Sequence, residues 1–191
     1  MTFTANEYYR SNFANLSLEK GAIEAKVFDE CEFNRCSFIE TNFNRCKFRN
    51  CSFIECILSA VVPMNARFSQ VKFTACKVIG LDWTKTQYLE DLEFSGCQIS
   101  YSNFKLLKIP RIKIVNCEAK EVDFSETDLT GADLKNSDFE KSRFFKTNLS
   151  GADLKGARNY FIDIKNNTLK KTRFSLPEAL SLLNSLDIII D

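Results

Sequence analysis

The chain has 191 residues, of which 45% are hydrophobic, and its 26 basic and 25 acidic side chains give a net charge of +1. This length allows one domain with a substantial core or two small ones, and the near-neutral charge argues against a strongly basic nucleic-acid binder. There is no histidine, which removes the commonest general base and the commonest zinc ligand. The composition therefore gives little support to an enzyme.

The N-terminal stretch MTFTANEYYRSNFANLSLEKG lacks both a basic start and an apolar segment, so it does not resemble a signal peptide. No apolar run approaches the roughly 18 residues that span a bilayer. We therefore predict a cytoplasmic protein without a membrane partner, in which cysteine thiols stay reduced.

Large apolar residues recur at every fifth position over 13–58 and again over 68–88. The frame then slips by one residue within about 84–93 and resumes over 94–154. Sixteen of the eighteen phenylalanines lie in this frame. A period of five matches neither an amphipathic helix nor a continuous strand, and it indicates a coiled solenoid of short sides.

A small or apolar residue lies two positions before each large one. All eight cysteines occupy this position: Cys31, Cys36, Cys46, Cys51, Cys56, Cys76, Cys97 and Cys117. Residues two apart in an extended segment point to the same face, so the small and the large residue both point inward. The CxxxxC spacing differs from the CxxC of zinc ribbons, and buried thiols pack as small hydrophobes. We interpret the cysteines as core residues, although a metal site or a redox role stays open, and we predict no cofactor.

Several sequence features repeat at twenty residues, which indicates four sides in each coil. Cys31 and Cys51 are twenty apart, and GADLKNS at 131 recurs as GADLKGA at 151. Coils stacked at the spacing of β-strands, about 4.8 Å, would form a rod of about 38 Å. The fold class is therefore an all-β solenoid over residues 1–174.

Three irregular points interrupt the pattern. Pro63 takes a core position, where the missing N–H predicts a local bulge or bend. Trp83 and Tyr88 lie beside the frame slip, where a bulge could contact a partner, although packing also explains them. Asn159 takes a core position, which indicates either hydrogen bonds at the end of the stack or the start of a distorted terminal coil.

Acidic residues concentrate in one predicted coil, 121–140, which carries seven acids and one lysine. Because many of them are five residues apart, they should encircle the rod. Asp133 and Asp153, twenty apart, should share one side. A negative surface of this kind could occupy a groove that normally holds DNA, and a simple solvated surface is the alternative. The candidate partner-binding acids are Glu121, Asp123, Glu126, Asp128, Asp133, Asp138 and Asp153.

Residues 175–191 have a different pattern and are predicted to cap the solenoid with a short α-helix and a strand. Ser175 and Glu178 form a capping-box pattern, Pro177 suits a first turn, and 187–190 is strand-like. The end of a solenoid must be covered, by a cap in a monomer or by a second subunit. The candidate dimer interface consists of Leu176, Leu180, Leu183, Leu186 and Ile188.

The units CEFNR (31–35), TNFNR (41–45), ADLKN (132–136) and ADLKG (152–156) resemble the A(D/N)LXX motif of the pentapeptide repeat family. The resemblance covers about residues 6–174 and implies a right-handed quadrilateral β-helix. Domain length, the slip near LDWTKTQYLEDLEF and the C-terminal segment are similar to the topoisomerase-protecting branch. That branch includes Qnr-type quinolone-resistance proteins, mycobacterial MfpA, the microcin B17 immunity protein and the albicidin-resistance protein AlbG.

The resemblance implies a non-enzymatic homodimer, joined through its C-termini, that mimics DNA and binds DNA gyrase or topoisomerase IV. It also implies protection of that enzyme from a quinolone, albicidin or microcin. The long loops that project from some Qnr-type proteins are absent here, which puts quinolone protection in doubt. Basic residues such as Lys105, Lys108 and Arg111 lack interleaved aromatics in the sequence, so direct nucleic-acid binding is not favoured. A structural scaffold with an unrelated partner is the alternative function.

Overall fold

Each side of the solenoid is a three-residue strand or a single β-bridge, because a five-residue unit leaves only about three residues between corners. The structure is a computed structural model that describes residues 3–186 and residue 188. Two 3-10 helices, Trp83–Lys85 and Glu178–Ser185, accompany the strands. The strands are β1 (Glu7–Tyr9), β2 (Asn12–Ala14), β3 (Ser17–Glu19), β4 (Ala22–Glu24), β5 (Val27–Asp29), β6 (Glu32–Asn34), β7 (Ser37–Ile39), β8 (Asn42–Asn44), β9 (Lys47–Arg49), β10 (Ser52–Ile54), β11 (Ile57–Ser59), β12 (Arg67–Ser69), β13 (Lys72–Thr74), β14 (Tyr88–Glu90), β15 (Glu93–Ser95) and β16 (Lys113–Val115).

The strands form four parallel sheets, one on each side of a quadrilateral β-helix. Their orders are β1-β5-β9-β12-β14, β2-β6-β10-β13-β15-β16, β3-β7-β11 and β4-β8. The register advances by twenty residues, so that Phe33 pairs with Phe53, and by twenty-one across the frame slip, where Phe73 pairs with Phe94. The predicted four-sided all-β solenoid is therefore confirmed.

The core is a set of stacked columns of the large inward residues. The ring centroids of Phe33 and Phe53 lie 4.5 Å apart, and those of Phe53 and Phe73 lie 5.0 Å apart, close to the spacing of neighbouring strands. The cysteines lie beside these columns, all buried and none in a disulfide. The pattern of one small and one large residue in each unit thus fills the interior of the rod.

The corners require left-handed backbone at residues that are mostly not glycine. Arg35 has φ 52° and Glu55 has φ 53°, and nearly every corner of the N-terminal half repeats this conformation. Such a conformation costs roughly 1–2 kcal/mol for an L-residue. The ladder offsets this cost, since most corner N–H groups donate to the next coil, as Arg35 N does to Ile54 O at 2.9 Å.

The small inner position also carries hydrogen bonds, which an interpretation based on packing alone misses. The Cys36 N–H donates to Cys56 Sγ at 3.3 Å, and the Cys117 N–H donates to Ser137 Oγ at 3.0 Å. Ser137 Oγ in turn donates to Ile114 O at 2.8 Å. Cysteine, serine and threonine therefore suit this position because they are small and can form hydrogen bonds with backbone N–H and C=O groups that have no partner in the β-ladder.

Pro63 produces no bulge. Val62 still pairs with Asn42, so the twenty-residue register is kept, and Pro63 is buried in the core position. The effect of the missing N–H is local: this side of the coil forms a single β-bridge instead of a three-residue strand. The turn that follows is closed by a hydrogen bond from Ala66 N to Pro63 O at 3.1 Å. Of the two predicted alternatives, a bulge or a bend, the bulge does not occur, whereas the chain turns directly after Pro63 and the loss of a ladder donor agrees with the shortened strand.

The extra residue at the frame slip lies in the 3-10 turn Trp83–Lys85. The Asp82 carboxylate caps this turn by accepting from Thr84 N at 3.2 Å. Beyond the turn, Tyr88 pairs with Arg67 at an outward position and Leu89 takes the inward position beside Phe68. The expectation that Tyr88 is a core residue of the frame is therefore wrong by one position.

The last coil is distorted. Asn159 is exposed, with φ 58°, and its side chain donates to Asp138 Oδ1 at 2.9 Å. Tyr160 and Ile162 are buried in its place, and Ile162 pairs with Phe144 rather than at the regular register. Both interpretations of Asn159 describe this region, because the terminal coil is distorted and Asn159 also forms a hydrogen bond at the end of the stack.

A short helix does follow the coils, but Glu178–Ser185 is a 3-10 helix rather than the predicted α-helix. The capping box does not form, because Ser175 Oγ accepts from Gly156 N at 2.9 Å and no side chain caps the helix. The predicted strand at 187–190 lies outside the described residues, apart from Ile188. Within the described part of the chain, no helix is long and apolar enough to cross a membrane.

Candidate partner-binding surfaces

The aspartates of the acidic coil lie directly before the inward residue of each unit, where they cap the following turn. Asp123 Oδ1 accepts from Ser125 N at 2.8 Å, and Asp128 Oδ1 accepts from Thr130 N at 3.0 Å. Asp153 Oδ1 accepts from Lys155 N at 3.1 Å in the same way. These bonds explain the (D/N) of the repeat motif, because short acceptor side chains bond the backbone two residues ahead.

Asp138 is buried, with 6% of its surface exposed, and is held by Arg158 at 3.3 Å and Asn159 at 2.9 Å. Burial alone would raise the pKa of this carboxyl. The hydrogen bonds from Asn159 and from the Glu140 N–H, together with the charge of Arg158, nevertheless lower its pKa below the ordinary value. Asp138 is therefore a structural residue, and its place among the candidate surface acids is corrected.

The other candidate acids lie on three sides of the rod and at two of its corners. Asp133 and Asp153 pair across neighbouring coils on one side, as their spacing predicts, but Lys135 lies 3.0 Å from Asp133 and Arg173 3.8 Å from Asp153. Glu121 and Glu126 occupy exposed corners and make no ion pair with any described residue. These two glutamates are the most accessible unpaired charges of the acidic coil.

Trp83 cannot contact a partner in this structure, because its side chain is fully buried. Its ring lies against Phe68 at 5.4 Å and stacks with Phe104 at 5.7 Å between centroids. The packing alternative thus describes Trp83, and its place as a candidate contact is corrected. Tyr88, in contrast, is 46% exposed.

The frame slip opens the ladder on one side of the rod. Among the described residues, no backbone hydrogen bond joins 88–91 to 108–110 of the following coil. The neighbouring positions are bonded: Gln70 N of the preceding coil donates to Glu90 O, and Lys113 N of the following coil donates to Leu92 O. The resulting cavity of about 290 Å³ is lined by residues that include Tyr88, Lys108 and Arg111. The slip therefore leaves a gap between coils rather than a projecting loop.

The C-terminal helix presents an apolar surface. Leu176 is 75% exposed, Leu180 53% and Ile188 56%, whereas Leu183 and Leu186 are half-buried. Residues three apart align along a 3-10 helix, so Leu180 and Leu183 share one edge, and Leu186 directly follows the helix. Leu182 packs against the core and fixes this helix to the last coil.

The structure exposes two phenylalanines that the sequence analysis does not single out. Phe145 is 44% and Phe161 63% exposed, and both line one open cleft. They are the two phenylalanines outside the five-residue frame, and that exclusion is the sequence signal that could have identified them.

Burial disfavours reactive thiolates at neutral pH. Loss of solvation raises the pKa of Cys46 to about 11 and that of Cys51 to about 12. Thiols of this kind pack as apolar groups. The structure thus offers no exposed nucleophile among these cysteines.

Comparisons with known proteins agree with this architecture. A family model described as a pentapeptide repeat region matches residues 25–104, and a second, of eight pentapeptide repeats, matches residues 123–158. Together they cover more than half of the chain. No curated protein matches the sequence at a significant level.

Solved structures of QnrB1, described as a plasmid-mediated fluoroquinolone resistance protein, share the fold. One trypsin-treated form has a TM-score of 0.77 at 17% identity and covers 98% of this chain and 100% of that chain. A second has a TM-score of 0.77 at 19% identity over 95% and 99%. Full-length QnrB1 has a TM-score of 0.50 at 16% identity over 95% and 100%. At these identities the likeness concerns the fold alone.

Proposed function

Because the chain belongs to the pentapeptide repeat family, we propose that it is a non-enzymatic protein that binds DNA gyrase or topoisomerase IV in place of DNA and protects the enzyme from a poison. The observation that carries the proposal is the likeness to QnrB1, which spans nearly the whole of both chains. A protein of known resistance function has the same rod-shaped scaffold and similar length. The proposed poison is of the quinolone, albicidin or microcin type.

The charges support this proposal at one coil. Residues 121–140 carry seven acids and one lysine, and Glu121 and Glu126 hold unpaired charges at exposed corners. A topoisomerase groove that receives DNA is lined by cations, and a negative coil complements such a surface. The aspartates of the same coil cap turns, so the two corner glutamates would make the larger contribution.

The apolar C-terminal helix supports a homodimer. Leu176 and Leu180 are exposed at the end of the coil stack, where a second copy would cover them. A dimer joined at this end would bring the two acidic coils towards its middle. This arrangement would double the length of the negative surface available to the enzyme.

A supercoiling assay tests the proposed function. Purified protein at micromolar concentration should restore gyrase supercoiling in the presence of ciprofloxacin, albicidin or microcin B17, or inhibit supercoiling without a poison. A Glu121→Lys/Glu126→Lys variant should lose most of the effect. Glu19→Lys/Glu40→Lys, which makes the same charge change at exposed positions of the N-terminal half, should keep it.

Failure in all of these conditions would reject the proposal and favour the alternative, a scaffold with an unrelated partner. Affinity capture followed by mass spectrometry separates the two functions, because only the first predicts enrichment of gyrase or topoisomerase IV subunits.

A further inference from the structure

Two exposed phenylalanines, Phe145 and Phe161, lie outside the five-residue frame and do not belong to the core. Phe145 directly follows the core residue Phe144 and so lies at an outward position that is otherwise mostly polar. Phe161 is displaced outward because Ile162 takes the inward position and pairs with Phe144. Large exposed aromatic side chains contribute nothing to the core, and at an accessible surface they are typical of binding sites.

The fold brings these two side chains together although they are sixteen positions apart in sequence. Both line an open cleft on the side of the rod that contains Phe124 and Phe144. Lys105, Lys141 and Arg143 line the same cleft. We refer to these five residues, Phe145, Phe161, Lys105, Lys141 and Arg143, as the aromatic cleft.

Cations exceed free acids in the aromatic cleft. Lys105 and Lys141 form no ion pair with any residue that the structure describes, and Arg143 reaches only one acid, Asp123, at 4.0 Å. Lys146 adds a further cation, with Nζ 5.4 Å from the centroid of the Phe145 ring. The cleft lining therefore holds three cations and two acids, and two of the cations have no ion-pair partner among the described residues.

One of the two acids that line the cleft, Asp163, already has hydrogen-bond partners of its own. The Asp163 carboxylate accepts from Lys165 N at 2.7 Å and from the Asn166 side chain, and these bonds lower its pKa. Glu126 is the remaining acid of the lining. Because Asp163 is engaged by its own turn, it competes poorly for the lysines.

We propose that the aromatic cleft is a docking site for an acidic segment of a partner protein that carries apolar anchor residues. Apolar side chains would cover Phe145 and Phe161, and carboxylates would pair with Lys105 and Lys141 at the rim. A nucleic-acid strand fits less well, because these cations lie at one place on the rod and do not form a track along it. The proposal goes beyond topoisomerase binding and does not depend on it.

Fluorescence anisotropy with a labelled peptide tests the site. The probe is fluorescein-labelled Asp-Leu-Glu-Phe-Asp-Leu-Glu, titrated with the full chain at low salt. We expect saturable binding in the micromolar range, and binding to Phe145→Ser/Phe161→Ser should be weaker by about 30-fold. Tyr101→Ser is the matched control, because Tyr101 is 62% exposed and Phe161 63%, and it should bind as the wild type does.

A charge variant and two further probes complete the test. Lys105→Glu/Lys141→Glu should also weaken peptide binding, and a peptide with serine in place of leucine and phenylalanine should not bind. Absence of peptide binding at millimolar protein, or equal binding by the double-phenylalanine variant, would overturn the proposal. Oligothymidylate binding that outcompetes the peptide and is lost in that variant would overturn it in favour of a nucleic-acid surface.

Discussion

Phe53 illustrates how a single residue of the repeat connects three coils. Its side chain is fully buried, and its ring stacks between Phe33 at 4.5 Å and Phe73 at 5.0 Å. Removal of the ring would leave a cavity that stiff neighbouring strands cannot close.

We therefore expect Phe53→Ala to lower the free energy of unfolding by about 3–5 kcal/mol. Chemical denaturation followed by circular dichroism measures this loss. The control Phe145→Ala removes the same ring from an exposed site and should change the free energy of unfolding by less than about 0.5 kcal/mol. Equal losses in the two variants would contradict the assignment of inward and outward positions.

The Asp138 carboxyl should make stability depend on pH. Its pKa is lowered in the folded protein, so the ionised form is the one that the fold stabilises. This contribution is present above the pKa of the unfolded chain, about 3.9, and is lost as the pH falls through the folded pKa.

Asp138→Asn should accordingly lower the free energy of unfolding by about 1–2 kcal/mol near pH 6. The difference from the wild type should shrink as the pH falls through the lowered pKa of the folded protein, because the wild-type carboxyl then also becomes neutral. Urea titrations at a series of pH values measure this trend. A difference that stays constant with pH would show that Asp138 acts by shape rather than by charge.

At single residues, the sequence predicts the inward positions well, because side-chain size recurs with the period of the corners. Cys36 and Phe53 lie where the spacing places them. Trp83 also lies inward, where the frame places it, whereas Tyr88 lies outward because the 3-10 turn at Trp83–Lys85 takes the extra residue earlier than the apolar pattern indicates. Size and polarity alone cannot locate an insertion within one turn.

Among the described strands beyond the N-terminal coil, β14 is the one with an unpaired edge. It pairs with β12 on one side, while its other edge faces the cavity beside 108–110. The backbone N–H groups of Leu89 and Asp91 on that edge have no backbone partner among the described residues. Stability should therefore vary locally, being lowest where the ladder is open.

Hydrogen exchange followed by NMR tests this feature of the fold. The amides of Leu89 and Asp91 should exchange at least about 100-fold faster than those of Gln70 and Lys113, which donate to neighbouring coils. Comparable protection of all four amides would show that the ladder is continuous at the slip.

The C-terminal helix is an element that the sequence predicts only in part. The sequence correctly predicts a short helix after the coils, but the helix has the 3-10 form rather than the α form. The capping box fails because Ser175 is drawn to Gly156 of the preceding coil, a contact that no local pattern reveals.

We expect the wild-type protein to have close to twice the 21.9 kDa mass of one chain in solution. Leu176→Glu/Leu180→Glu should shift it to the mass of one chain, because carboxylates at an apolar interface lose hydration without a partner. Multi-angle light scattering measures both masses. If the variant retains the dimer mass, the interface lies elsewhere on the rod.

For the whole molecule, the repeat determines the scaffold, and the departures from the repeat provide the surface features. The acidic coil, the open ladder and the aromatic cleft each lie where the sequence departs from the basic five-residue unit. The fold is predictable because one short rule applies to most of the chain. The partner cannot be predicted in the same way, because outward residues can vary without changing the solenoid.

The measurement that tests the central proposal most directly is competition between this protein and linear duplex DNA for purified gyrase. Labelled protein should bind the gyrase holoenzyme with micromolar or better affinity, and excess duplex should displace it. Glu121→Lys/Glu126→Lys should bind at least about 10-fold more weakly, and Glu19→Lys/Glu40→Lys should bind as the wild type does. Failure to bind gyrase or topoisomerase IV, or binding that duplex DNA leaves unchanged, would contradict the proposed occupation of the DNA site.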